Sequence, residues 1–382
     1  MVDTGVPLVR QREVLPGAKP YQVLAAKNAT LRLRGPSGHV FSFTDLTCAH
    51  GAVNFGHLNP AIDPFENRTS DVVASIYPPV AGVHAEWLLN RLVLNGHSVL
   101  YRAGAASAVG TAVNLAQRMR PGKVLIIEGS CHGQEPGFGG LGVEHSFGEN
   151  TLRIAPGDDF FAWGDVSCLL YEPIQTACGF LPLPLPWLRG LSRSAQDAGV
   201  TVIADETQCG FYRFGRLSLA ASEFLHPDIF LFGNSMTNGI FPLFALIISE
   251  AIDTSSAVGE EGWQPTFQTS ALGLEAAECV AQYIDSTDFE SLLTPIHSLL
   301  SKAGEKLAAI PRLAALHLAG PTLSLGVRDG RAAELVLACE ARGVLVSVGA
   351  GGHRVGVAPP VTIAPEQLQV ALRMLVQAAK TL

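Results

Sequence analysis

The sequence predicts an α/β fold: a large domain built on a mostly parallel sheet with helices on both faces, accompanied by a smaller α+β domain. Three observations lead there. Short apolar runs alternate with amphipathic helical stretches along most of the chain. Those runs are continuously rather than alternately hydrophobic, the pattern of strands covered on both faces. Finally, 382 residues, 48% of them hydrophobic and 16% charged, exceed one simple core and supply apolar surface for a large body plus a lesser one.

Taken in order, Val109, Ala112, Val113, Leu115, Ala116 and Met119 recur with helical spacing and predict a helix from Ala105 to Met119, followed by a short strand from Lys123 to Ile127. Further strands are expected at Val166 to Tyr171, Val200 to Ala204, Asp228 to Phe232 and Leu243 to Ser249. A helix from Pro186 to Ala198 separates the first two, after the rigid punctuation of Pro182, Pro184 and Pro186. From about residue 290 the pattern changes to a long helix through Leu307, a strand near Thr322 to Gly326, a helix from Arg331 to Arg342, a strand from Val344 to Val348 and a terminal helix from Pro365 to Ala379. The expected division is a large domain over 51–289 and a small domain formed by 1–50 with 290–382.

Composition narrows the function classes. Lys and Arg total 26 against 34 Asp and Glu, a net charge of -8, and no basic run appears, which argues against nucleic acid. The opening residues lack a charged-then-apolar leader, and no apolar stretch approaches the roughly 20 residues of a spanning helix. The expectation is a cytoplasmic protein without membrane contact. Seven cysteines lie scattered without metal-type pair spacing, so reduced thiols and no metal are expected. Only six lysines occur, and none lies between Val124 and Ser301.

In an open α/β sheet, ligands gather at the carboxyl ends of the strands. One such end delivers Asp205 and Glu206. A carboxylate there suits a charge-assisted bond to a protonated ring nitrogen, or else it caps a helix. A second end is Gly104, just before the helix that starts at Ala105, where free backbone N–H groups suit a phosphate or the glycine simply turns the chain. The third is Glu128-Gly129-Ser130-Cys131-His132-Gly133, whose glycines aim Cys131 or His132 into a cleft, with a satisfied structural histidine as the plainer reading.

Phe43-Thr44-Asp45 through Gly56-His57-Leu58-Asn59-Pro60 resembles the "D…G…GH.HP" opening of the class III aminotransferases. The likeness continues in order with Ala103-Gly104-Ala105 on the phosphate loop, Gly129 to Gly133 on the "G.YHG" turn and Glu172-Pro173-Ile174-Gln175 on "EPVQ". Asp205 to Arg213 then resembles "DEVQTGFGR", Thr266-Phe267 the "GT(F/L)" loop, and Arg354 with Pro359-Pro360 the closing "R…PPL" segment. The resemblance covers nearly the whole chain. It implies the fold type I of enzymes dependent on pyridoxal phosphate, with a mostly parallel seven-stranded sheet. It also implies a homodimer acting on a small amino or keto compound. Carried over by residue, it assigns the ring nitrogen to Asp205 and the ring 3-hydroxyl to Gln208. Gly104 and Ala105 take the phosphate, Thr266 reaches it from the neighbouring subunit, and Cys131 stands where an aromatic residue stacks on the ring.

The same resemblance exposes departures. The family motif "GK.(L/M)(G/T)NG.P" is here Gly233-Asn234-Ser235-Met236-Thr237-Asn238-Gly239-Ile240-Phe241-Pro242, so Asn234 occupies the position of the imine-forming lysine. An amide forms no imine and is neither acid nor base near neutrality. Ala103 and Ala105 replace hydroxyl residues, Ala106 an acidic one, Arg102 an asparagine and Cys131 the stacked aromatic. Each lost hydroxyl or stacking contact costs about 0.5–1.5 kcal/mol, a weaker grip by a factor of about ten to a few hundred overall. Two function classes follow. In the first, pyridoxal or pyridoxamine phosphate is held non-covalently for modified chemistry, with His132 as the candidate base. In the second, the cofactor is lost and the scaffold serves as a partner subunit or a cofactor-independent catalyst.

Overall fold

The computed structural model describes residues 21–65, 97–133, 150–160, 162–252 and 269–382, with the isolated positions 86, 89 and 254. Three antiparallel strands come first: β1 (Gln22–Lys27), β2 (Thr30–Arg34) and β3 (Val40–Asp45). The main body follows with β4 (His97–Arg102), helix α1 (Ala105–Met119), β5 (Lys123–Ile127), β6 (Thr151–Ile154) and β7 (Val166–Tyr171). A small hairpin of β8 (Ile174–Gln175) and β9 (Leu181–Pro182) leads to α2 (Leu185–Asp197), β10 (Thr201–Glu206), β11 (Ile229–Phe232) and β12 (Phe244–Ser249). The remainder is α3 (Ala271–Ser286), α4 (Phe289–Ala308), β13 (Leu313–Ala319), β14 (Thr322–Val327), α5 (Ala332–Glu340), β15 (Val344–Leu345), β16 (Ser347–Val348), β17 (Arg354–Val357) and α6 (Pro365–Ala379).

Seven strands form the central sheet in the order β4-β12-β11-β10-β7-β5-β6. Their side chains alternate between two apolar layers, as a period of two requires. On one face Val124, Ile126, Cys168, Leu170, Ile203 and Leu231 pack with Ala108, Ala112 and Leu115 of α1. On the other, Leu125, Ile127, Leu169, Tyr171, Val202 and Phe230 pack with Leu188, Leu191 and Ala195 of α2. Each fully buried aliphatic side chain of this kind contributes about 1.5–3 kcal/mol.

Two sequence expectations require correction. The Leu243 to Ser249 run, read with the parallel strands, forms β12, which is antiparallel to both β11 and β4. Continuous hydrophobicity reports burial on two faces and is silent about strand direction. The single strand expected from Val344 to Val348 is instead two. β15 pairs in parallel with β3, while β16 pairs antiparallel with β17 in a different sheet. Val346 between them is buried, so an unbroken apolar run spans a change of sheet. The β3–β15 pairing also places Thr44 and Asp45 beside Val344 and Leu345, bringing segments about 300 residues apart in sequence into one four-stranded sheet. Among the described residues no helix is long and apolar enough to cross a membrane.

Candidate functional site

Strands β4, β5, β7, β10 and β11 run in one direction, so their carboxyl ends share one edge of the sheet. β4 ends at Arg102, and Gly104, in extended backbone, caps α1 without a side-chain hydrogen bond; no acidic residue occupies the helix's first turn. A Cβ on Gly104 would meet nothing within 4 Å. Free first-turn N–H groups facing open space are the backbone requirement for an anion. Ala105 is half-buried beside them.

The turn after β5 is pinned against this helix start. Gly129 and Gly133 both adopt positive φ (89° and 52°). A Cβ at Gly133 would come within 2.9 Å of the Ala106 Cα, so only glycine lets the turn approach α1 this closely. Between the two glycines, Cys131 and His132 are buried. His132 Nδ1 lies 2.8 Å from Asp205 Oδ2 at the end of β10. Asp205 Oδ1 accepts from the Thr207 backbone N–H (3.0 Å) and hydroxyl (2.7 Å). His132 Nε2 is buried and has no hydrogen-bond partner among the described residues.

Glu206, the other acid of the pair, fills the capping role that the sequence left open. It accepts from Ser218 Oγ (2.6 Å) and from the Leu219 and Ala220 N–H groups (2.8 and 2.9 Å), closing the short helical turn Leu219–Ser222. Burial raises its pKa, against the pull of those three donors.

Glu172, at the end of β7, was read only as part of a motif, yet it belongs to the same constellation. Its Oε2 accepts from the Cys131 N–H (2.9 Å) and its Oε1 from the Thr176 hydroxyl (2.8 Å). Desolvation pushes it up to about 7, with the His132 charge pulling down and Asp205 adding to the rise. No spacing rule links positions 131, 172 and 205, so only the strand order brings them together.

Asn234 follows β11 at φ 43°, a left-handed conformation that asparagine tolerates better than most residues, and it is half-buried. Its neighbours hold the "GH" opening of the chain: Asn238 Oδ1 accepts from Phe55 N–H (3.1 Å), its Nδ2 donates to Gly56 O (2.9 Å), and Ser235 Oγ donates to Gly51 O (2.5 Å). Gln208 is half-buried, with its backbone carbonyl facing Gly51. Arg213, the last residue of the Asp205 motif, is buried and donates to Pro359 O (3.0 Å). Lys123 sits at the opposite edge of the sheet, paired with Asp165 at 3.3 Å. Thr266 lies outside the described residues.

The family model for class III aminotransferases matches residues 162–379. An ornithine aminotransferase of Bordetella pertussis is 23% identical over 398 aligned positions, covering 94% of this chain and 91% of that protein. An ornithine aminotransferase 2 of Staphylococcus aureus is 25% identical, covering 92% and 93%. Among solved structures, ornithine aminotransferase of Toxoplasma gondii superposes with a TM-score of 0.81 at 18% identity over 97% of this chain and 93% of that one. Acetylornithine aminotransferase of Elizabethkingia anophelis gives 0.79 at 21% identity over 98% of both. The chain belongs to the class III aminotransferase family.

Proposed function

We propose that the protein holds pyridoxal or pyridoxamine phosphate without a covalent bond and acts on a small amino or keto compound by a modified form of its family's chemistry. The observation that carries this reading is the buried His132–Asp205 pair, 2.8 Å apart, beside the uncapped start of α1. The residues fit the group. Asp205 is a carboxyl acceptor suited to a protonated ring nitrogen, the N–H groups at Gly104 and Ala105 suit its phosphate, and His132 Nε2 is a buried polar atom without a partner among the described residues. When bound, the cofactor supplies an electron sink.

The chain's own residues do the rest. His132 orients Asp205 through the 2.8 Å contact of its Nδ1 with Oδ2. Cys131 offers a smaller surface than an aromatic, and Gln208 a side-chain amide. Asn234, in the lysine position, offers an amide but no amine, and Lys123 lies at the wrong edge of the sheet. The proposal extends to a homodimer, with the large domain over 51–289 and the small one over 1–50 with 290–382. Seven cysteines, none joined in a disulfide, support residence in a reducing compartment such as the cytoplasm.

Titrating the purified protein with each cofactor form tests the reading. The expected result is a saturable absorbance change with a raised melting temperature, and its loss in Asp205→Ala. Absence of both signals with either form would overturn it and favour the scaffold that has abandoned the cofactor.

A further inference from the structure

We propose that Glu172 is a positioning residue that sets the charge of the His132–Asp205 pair and thereby couples ligand binding to proton release. This rests on the cofactor reading above and deepens it. Two carboxylates, from the ends of β7 and β10, close on one imidazole from the turn after β5, all three side chains buried. Asp205 is bonded directly to that imidazole. Glu172 is not: both its oxygens are held by neutral donors, the Cys131 N–H and the Thr176 hydroxyl. One imidazole therefore stands against two acids, and ionising both leaves the cluster with an excess of negative charge.

Among the described residues, the groups facing Glu172 are few. His132 and Asp205 act on it directly, and the thiols of Cys178, in the loop after β8, and Cys209, after β10, feel its charge. Arg354 of β17 reaches it only by way of Cys178. Its position near 7 follows from burial, which the His132 charge opposes and the Asp205 charge reinforces. A ligand bearing a positive ring charge would offset that excess, so Glu172 ionises as the ligand enters and its proton leaves to solvent. Affinity then rises with pH through this range. When Glu172 stays protonated, the cluster carries less negative charge and the gain for a cationic ring is smaller.

Calorimetric titration with pyridoxamine phosphate, in buffers of different ionisation heat between pH 6 and 8, measures the protons released. The expected wild-type release exceeds that of Glu172→Gln by up to about one proton per site, and the wild-type affinity gains about tenfold more across the range. Should Glu172→Gln fail to fold, Thr176→Val serves instead: losing one donor to the carboxylate moves the release curve to higher pH. Binding by all three proteins with superimposable proton-release curves refutes the role of Glu172 while leaving the cofactor reading intact. No binding by the wild type refutes both.

Discussion

His132 Nδ1 and Asp205 Oδ2 stand 2.8 Å apart with side chains 0% and 2% exposed, a buried pair joining the turn after β5 to the end of β10. Breaking such a pair by removing one partner strands the other and costs about 3–5 kcal/mol, whereas removing both together costs less than the sum. His132→Phe is therefore expected to lower the unfolding free energy by about 3 kcal/mol, and His132→Phe with Asp205→Leu to show a coupling of at least about 1 kcal/mol. Urea denaturation of the four proteins in the cycle measures this. Strict additivity is the result that rules out the coupling.

Asn234→Lys restores a primary amine at the carboxyl end of β11. Borohydride treatment with pyridoxal phosphate is expected to leave a reduced covalent adduct on the variant and none on the wild type, read by mass spectrometry. Because position 234 sits at φ 43°, where lysine is less at ease than asparagine, the variant should also lose about 1 kcal/mol of stability. An adduct on unaltered protein within this cleft would contradict the assignment of Asn234.

Gly233 is constrained by sterics rather than by φ, since its backbone is extended and any Cβ there runs into the ring of Phe244 on the neighbouring strand β12. Overpacking of this kind costs typically about 1–3 kcal/mol. Gly233→Ala should fall in that range and be partly rescued by Phe244→Leu, which shortens the obstructing side chain. Equal loss in both backgrounds would show that the ring is not what the extra methyl meets.

Acid sensitivity has a specific source in Asp45. Burial acts to raise its pKa, but hydrogen bonds from His57 Nε2 (3.1 Å) and from the Thr47 hydroxyl (2.6 Å) and N–H (2.8 Å), with the His57 charge, hold it below the ordinary 3.8. The unfolded chain thus takes up this proton more readily than the folded one. The stabilising contribution is complete above the unfolded value and is lost as pH falls through the folded one. Stability of the wild type should decline between about pH 5 and about pH 3 more steeply than that of Asp45→Asn, as followed by denaturation at each pH.

Several elements were legible because local pattern and tertiary role coincide. The helix from Ala105 to Met119 and the strands from Lys123 to Ile127 and from Val166 to Tyr171 appear at their expected bounds, since each buries residues at its own natural period. β1 to β3 escaped notice because their faces are mostly exposed and lack a continuous apolar run. At the site, Asp205 and Gly104 stood out as strand ends. Glu172 and its bond to the Cys131 N–H did not, because they are 41 residues apart and meet only through sheet order.

What the residues by themselves determined is the layering, the family and the chemistry of each strand end, because burial period and side-chain type are local properties of the chain. Strand direction in β12, the split of Val344 to Val348 between two sheets and the meeting of His132 with Asp205 and of Cys131 with Glu172 were decided only in three dimensions. Each depends on which segments lie side by side, and that is set by the hydrogen-bond register of the assembled sheets rather than by any one segment's preference.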